Sequence, residues 1–132
     1  MSGPILTLSV LQDGFAVCRL QPNEPIPAWS LQGFFSITRT EDEVSIVCPQ
    51  AYVPLDLQDR AFEGEWRCLK VSGPLDFAMT GVLSAIASPL AAANISLFAI
   101  STYETDYVLV KQQNLASAIQ ALSLAGHRII GG

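Results

Sequence analysis

Between Gly73 and Val110 the chain gathers polar groups beside backbone that is free to bind something. Asp76 to Gly81 lie between a strand pattern that ends at Ser72 and a helix pattern that follows. Unpaired N–H groups at such a helix start favour a carboxylate or a phosphate. Glu104 and Asp106, on the next hairpin pattern, favour a cation. N–H groups for a carboxylate beside acidic side chains suit a zwitterion, which is to say an amino acid, and Phe77 and Tyr103 offer apolar walls. The plainer alternative makes Asp76 only a helix cap and Asp106 only a turn residue.

Catalysis has less to stand on. The single histidine, His127, follows a helix pattern, where an imidazolium would meet the negative end of the dipole. General-base work would need a positioned partner. No Gly-x-Ser-x-Gly, Walker or dinucleotide pattern occurs. Glu41, Asp42 and Glu43 are consecutive and cannot all face one ion, so they read as a solvated turn. Cys18, Cys48 and Cys68 are odd in number and far apart, in apolar runs. They fit neither a disulfide framework nor a zinc site, but rather buried thiols in a reducing cytoplasm. The expectation is a non-enzyme with no cofactor and no metal.

With 132 residues the chain makes one domain or two small ones sharing a core. Half the residues are hydrophobic and 14% are charged, against about 25% in ordinary soluble domains. Mean hydropathy is +0.37. Apolar surface is therefore expected to be buried against another subunit, which suggests a homodimer. The net charge is −5 and the seven Lys and Arg are scattered singly, which argues against nucleic acid. The N-terminus lacks the pattern of a signal peptide, and the Ala-rich run around Leu90 to Ala93 is too short to span a bilayer. No membrane association is expected.

Periodicity supplies the elements. Ile5 to Val10 and Phe15 to Leu20 read as strands joined by Gln12-Asp13-Gly14, a hairpin signal. Three prolines between Gln21 and Pro27 break regular structure, and Ala28 to Leu31 has room for one turn. Phe34 to Thr38 and Val44 to Val47 form a hairpin pattern, Pro49 to Phe62 allows short turns, and Trp66 to Ser72 alternates as a strand. Met79, Val82, Leu83, Ile86 and Leu90 mark a helix stripe, capped by Asp76 or Thr80, kinked by Pro89 and stopped by Asn94. Ile95 to Ser101 and Asp106 to Lys111 form a second hairpin. Asn114 should cap a helix with the stripe Leu115, Ala118, Ile119 and Leu122, ended by Gly126, before a last strand from His127 to Ile130. From Trp66 the order is β-α-β-β-α-β, a ferredoxin-like unit of the α+β class.

A diverged repeat underlies this order. Setting Phe35 on Phe98 brings Ile37 onto Ile100, Glu43 onto Asp106, Ile46 onto Leu109 and Val47 onto Val110. The first copy is degenerate, with a short connection and a Pro-broken second helix. Residues 1–62 form this unit and 63–132 the complete one, each with an antiparallel sheet and helices on one face where they survive.

Gly81-Val-Leu-Ser-Ala-Ile, Pro89-Leu-Ala-Ala-Ala-Asn-Ile-Ser and Ser101-Thr-Tyr-Glu-Thr-Asp-Tyr-Val-Leu-Val resemble an ACT domain, and Phe34 to Glu43 resembles the hairpin of a first ACT unit. The branch is that of the CASTOR-type cytosolic arginine sensors and small tandem-ACT proteins. The resemblance implies a regulatory module without catalysis that holds an amino acid between ACT units. The matching positions are Asp76, Phe77, Met79, Val82 and Leu83, with Thr102, Tyr103 and Asp106 from the hairpin and Ser96 and Leu97 from a partner's strand. The sensors carry an acidic residue where Met79 stands, which points away from arginine itself. They have four units where this chain has two, so a homodimer would rebuild the arrangement.

Overall fold

Asp13-Gly14 does not turn the chain. A computed structural model describes residues 3–59, 61–73 and 80–131, and in it Thr7–Leu20 is one strand, β1, of 14 residues. Gly14 is absent from the glycines with positive φ, and tight hairpin turns require that conformation. Leu6, Leu8 and Val10 share their parity with Ala16, Cys18 and Leu20, across exposed Gln12 and Gly14. A continuous strand keeps such a phase on one face.

The chain divides into two compact units, one formed by residues up to Gln12 with those from Arg67 onward, the other by Asp13–Trp66. The second half of β1 therefore belongs to the Asp13–Trp66 unit and the first half to the other.

In the Asp13–Trp66 unit, β2 (Ser36–Arg39) pairs antiparallel with β3 (Val44–Pro49), and β3 pairs antiparallel with β1. β4 (Phe62–Val71) follows on the other side, giving the order β2-β3-β1-β4. Where a first helix would stand there is only a 3-10 turn, Ala28–Ser30, because the prolines before it withhold N–H donors. The Arg39 guanidinium holds this stretch by donating to the carbonyls of Pro22 and Glu24. Short turns at Gln50–Tyr52 and Leu57–Asp59 replace the second helix. Val53 and Leu57 from this stretch close the core of Ala16, Cys18, Val44, Ile46 and Cys48.

The other unit adds α1 (Val82–Ala92), β5 (Phe98–Ser101), β6 (Asp106–Lys111), α2 (Leu115–Leu124) and β7 (Arg128–Ile130) to the first half of β1 and the end of β4. Its strand order is β7-β1-β4-β6-β5. In a plain βαββαβ unit the last strand lies beside the first. Here β1 takes that place, and β7 pairs with β1 in parallel, Leu8 opposite Ile129. Val82, Ile86 and Leu90 of α1 and Leu115, Ala118 and Leu122 of α2 bury against Leu6, Leu8, Leu69, Val71, Val108 and Val110. Ile119 is only partly buried and Leu83 is 38% exposed, so each stripe is narrower than the sequence suggests.

Both helices stop by the same device. The N–H of Asn94 bonds to Ala91 and that of Ile95 to Leu90. Gly126 bonds in the same way to Ser123, and His127 to Leu122. Asn94 at φ 61° and Gly126 at φ 102° take the left-handed conformation this Schellman closure needs. Pro89 does not interrupt α1, which runs three residues beyond it to Ala92.

The hairpins confirm the repeat and correct its register. Arg39 pairs with Val44 in one and Ser101 with Asp106 in the other. Thr40 therefore matches Thr102, and Val44, not Glu43, matches Asp106. Each threonine N–H bonds at 2.8 Å to the carbonyl three residues on. Each threonine hydroxyl accepts from that same residue's N–H, at 3.2 Å and 3.3 Å. A pairing based on Phe35 and Phe98 slips by one residue, which reverses the face of every side chain.

All three cysteines are buried free thiols. Burial pushes the Cys18 thiol up to about 12, with Cys48 adding to it. Burial alone raises Cys48 to about 11 and Cys68 to about 12. Thiol reagents at pH 8 should label the native chain far more slowly than the unfolded chain, as a stopped colorimetric assay would show. The folded chain keeps protons that unfolded thiols release near 9.0, so this contribution is complete below pH 9 and is lost as pH rises toward 11 to 12. Denaturant melts at pH 8 and pH 10 measure that loss.

Candidate functional site

Among the described residues, no side chain caps the N-terminus of α1. Gly81, which has no side chain to cap with, holds the cap position at φ 81°. No acidic residue lies in the first turn. A helix start of this kind carries the positive pole of the dipole and N–H groups that favour an anion. Asp76, proposed as the cap, lies outside the described residues, as do Phe77 and Met79.

The hairpin tip is fixed to the same end of the unit. Thr105 is buried, and its hydroxyl donates to the carbonyl of Val71, the last residue of β4, at 2.7 Å. Val82, in the first turn of α1, packs in one core with Val71 and Val108. The start of β6 and the start of α1 thus converge beyond the end of β4. Asp106, the first residue of β6, is half-buried there. Thr105→Val should keep the shape but strand a buried carbonyl, costing about 1–2 kcal/mol in a urea melt and freeing the tip.

The remaining positions fall into distinct roles. Val82 is 7% exposed, so it can offer an N–H but little side chain. Leu83 faces outward. Thr102 is exposed and its hydroxyl closes the turn by donating to the Thr105 carbonyl at 3.0 Å, while Tyr103 projects from the tip at 81% exposure. Ser96 and Leu97 precede β5 instead of lying within it, Ser96 exposed and Leu97 packed on the helix core. The corrected register also separates the two hairpins chemically. The counterpart of Asp106 in the Asp13–Trp66 unit is Val44, fully buried, so that hairpin has no carboxylate at this point.

His127 is not a surface imidazolium. It is 5% exposed; Nδ1 accepts the Leu6 N–H at 3.0 Å, and Nε2–H donates to the Ala85 carbonyl at 2.9 Å. These bonds fix the neutral tautomer. Ala85 is the residue four before Pro89, whose missing N–H leaves that carbonyl free. The backbone N–H of His127, not its ring, closes α2 by bonding to the Leu122 carbonyl. The inside-helix proline was the sequence signal for this role; the partner Leu6, 121 residues away, had none.

A cavity of about 580 Å³ lies beside this bridge, lined by Thr80, Gly81, Ser84, Ala85 and Ser88 among others. Among the described residues, no three His, Cys, Asp or Glu gather where they could hold a metal ion, and no helix is long and apolar enough to cross a membrane.

A family model described as ACT domain matches residues 61–123, and a second model, of an N-terminal domain, matches residues 13–56. The cytosolic arginine sensor for mTORC1 subunit 1 of Bos taurus is 39% identical over 101 residues, covering 73% of this chain and 31% of that protein. Its Homo sapiens counterpart is 39% identical over 94 residues, covering 67% and 29%. The chain thus spans about a third of the length of these relatives. An X-ray structure of a protein from Agrobacterium tumefaciens superposes with a TM-score of 0.89 at 37% identity, covering 97% of this chain and 94% of that one. The regulatory subunit of aspartate kinase from Thermus thermophilus shares the fold, with a TM-score of 0.65 at 10% identity over 90% and 96% of the two chains. The chain belongs to the ACT domain family, among the proteins related to the cytosolic arginine sensors.

Proposed function

We propose that this chain is an amino-acid-binding regulatory module of the cytoplasm, with no catalytic step. The ligand carboxylate would sit on the N–H groups at the start of α1, and its ammonium or a side-chain cation against Asp106. The observation that carries this reading is the helix start at Gly81, with no acidic residue in its first turn, placed at the same end of the unit as a half-buried carboxylate. The strand-to-helix loop with Leu83, and Thr102 and Tyr103 on the hairpin, would shape the site. Ser96 and Leu97 of a second copy would complete it, making a homodimer the working form. Binding would act by shifting that assembly or its contact with a regulated protein. The relatives named as arginine sensors support an amino-acid ligand.

The two-ended recognition is open to direct test. Calorimetric titration should show binding by one free amino acid. The amide of that amino acid, lacking the carboxylate, and its N-acetyl form, lacking the ammonium, should each bind at least about tenfold more weakly. Equal binding of all three forms would remove the zwitterion reading.

A further inference from the structure

The charge of the chain is unevenly shared. Residues 13–66 hold nine Asp and Glu against three Arg and no Lys, a net −6, where the whole chain has −5. On this acidic unit stands an apolar corner. Phe34 turns inward and meets the buried Phe15 ring edge-on, with centroids 5.5 Å apart. Leu31, Phe35 and Tyr52 instead face outward, each between 42% and 49% exposed. Gly33, at φ 66°, lets the two segments meet, since a Cβ there would lie 3.2 Å from Pro49 and 4.0 Å from the Tyr52 ring. A carboxylate is fixed beside them. Gln50, in the same 3-10 turn as Tyr52, accepts the Glu65 N–H at 2.7 Å and donates to the Glu65 carboxylate at 2.9 Å. Glu65 sits at φ 62°, a conformation that strains a residue with a Cβ. Of the arginines described in this unit, Arg19 bonds to the Asp42 carbonyl and Arg39 to those of Pro22 and Glu24, so neither answers Glu65.

We propose that this corner docks a segment of a different protein that sets an apolar side chain beside a Lys or Arg. The apolar group would lie among Leu31, Phe35 and Tyr52, and the cation would meet the Glu65 carboxylate and the Tyr52 ring face. Aromatic anchors with a polar rim are a common form of protein contact. Charge selects the partner. A surface of this sign opposes a second copy of itself, a nucleic acid and an anionic membrane, and it attracts a basic segment. The docking site does not rest on the amino-acid reading, since all its residues belong to the Asp13–Trp66 unit.

Fluorescence anisotropy at low ionic strength tests it with a labelled peptide that alternates Leu and Lys, beside Ser–Lys and Leu–Glu versions. The Leu–Lys peptide should bind, and the other two should bind at least about tenfold more weakly. In amide NMR spectra it should shift Leu31, Phe35, Tyr52 and Glu65. Phe35→Ser and Glu65→Gln should each weaken binding at least about tenfold. Glu41→Gln and Glu43→Gln, at the hairpin tip, should change it less than about twofold. Glu65→Gly separates docking from a structural role: glycine adopts φ 62° freely, so the Tm should hold while binding falls. A Leu–Lys peptide that does not bind, or that shifts other residues, overturns the proposal. So does a Ser–Lys peptide that binds as well, or an equal loss in the tip variants, because diffuse charge then accounts for the affinity.

Discussion

His127→Ala lowers stability by about 3 kcal/mol and the Tm by roughly 10 °C. The change leaves two backbone groups without partners, the Leu6 N–H and the Ala85 carbonyl. A buried group so stranded costs about 1–3 kcal/mol. The figure lies below the two maxima because water from the adjoining cavity can reach part of the gap. Graded replacements separate the bonds: His127→Asn keeps an acceptor near Leu6, and His127→Gln keeps a donor near Ala85, so each should lose about half. Pro89→Ala sharpens the test. It supplies the N–H that Ala85 lacks, and should recover about 1 kcal/mol in the His127→Ala background while changing the wild type little. Additive effects in that double-mutant cycle, read by urea denaturation, would mean the two residues do not share the carbonyl.

Leu8→Ala should cost about 2–5 kcal/mol, a large part of the roughly 5–15 kcal/mol that holds a small protein folded. Leu8 is fully buried in the core beneath both helices, and Ile129 of β7 lies opposite it. β1 is thus a central strand of the unit that carries Asp106, between β7 and β4. Were Leu8 instead in a hairpin arm at the sheet margin, truncation would cost under 1 kcal/mol or so. Hydrogen exchange should then show α1 and the β5–β6 hairpin losing protection in the variant, because they share that core. Protection lost only in residues 13–66 would contradict the assignment of Leu8.

Much of this was legible in the sequence because period and phase report on faces. The stripes Val82, Ile86, Leu90 and Leu115, Ala118, Leu122 placed both helices, and Asn94 and Gly126 marked where they end. The acidic position at Asp106 stood out because a charge opens an otherwise apolar strand. The Asp13-Gly14 pair misled, since turn chemistry is only a local preference and the pairing of β1 with β3, β4 and β7 outweighed it. The repeat was visible but slipped by one residue, as matching aromatics caught the eye where the Thr40 and Thr102 turns held the register. What no local pattern could show was connection at a distance. Leu6, Ala85 and His127 meet only after β1 has entered between β4 and β7, and that insertion depends on the whole topology.

The central claim is that the start of α1 and Asp106 together hold an amino acid. A thermal-shift screen over the common amino acids, run on wild type and Asp106→Ala in parallel, addresses it most directly. One amino acid should raise the wild-type Tm by roughly 5 °C at ten times its Kd, and the rise should vanish in Asp106→Ala at the same concentration. A screen flat for every amino acid, or a rise of equal size in Asp106→Ala, would contradict it.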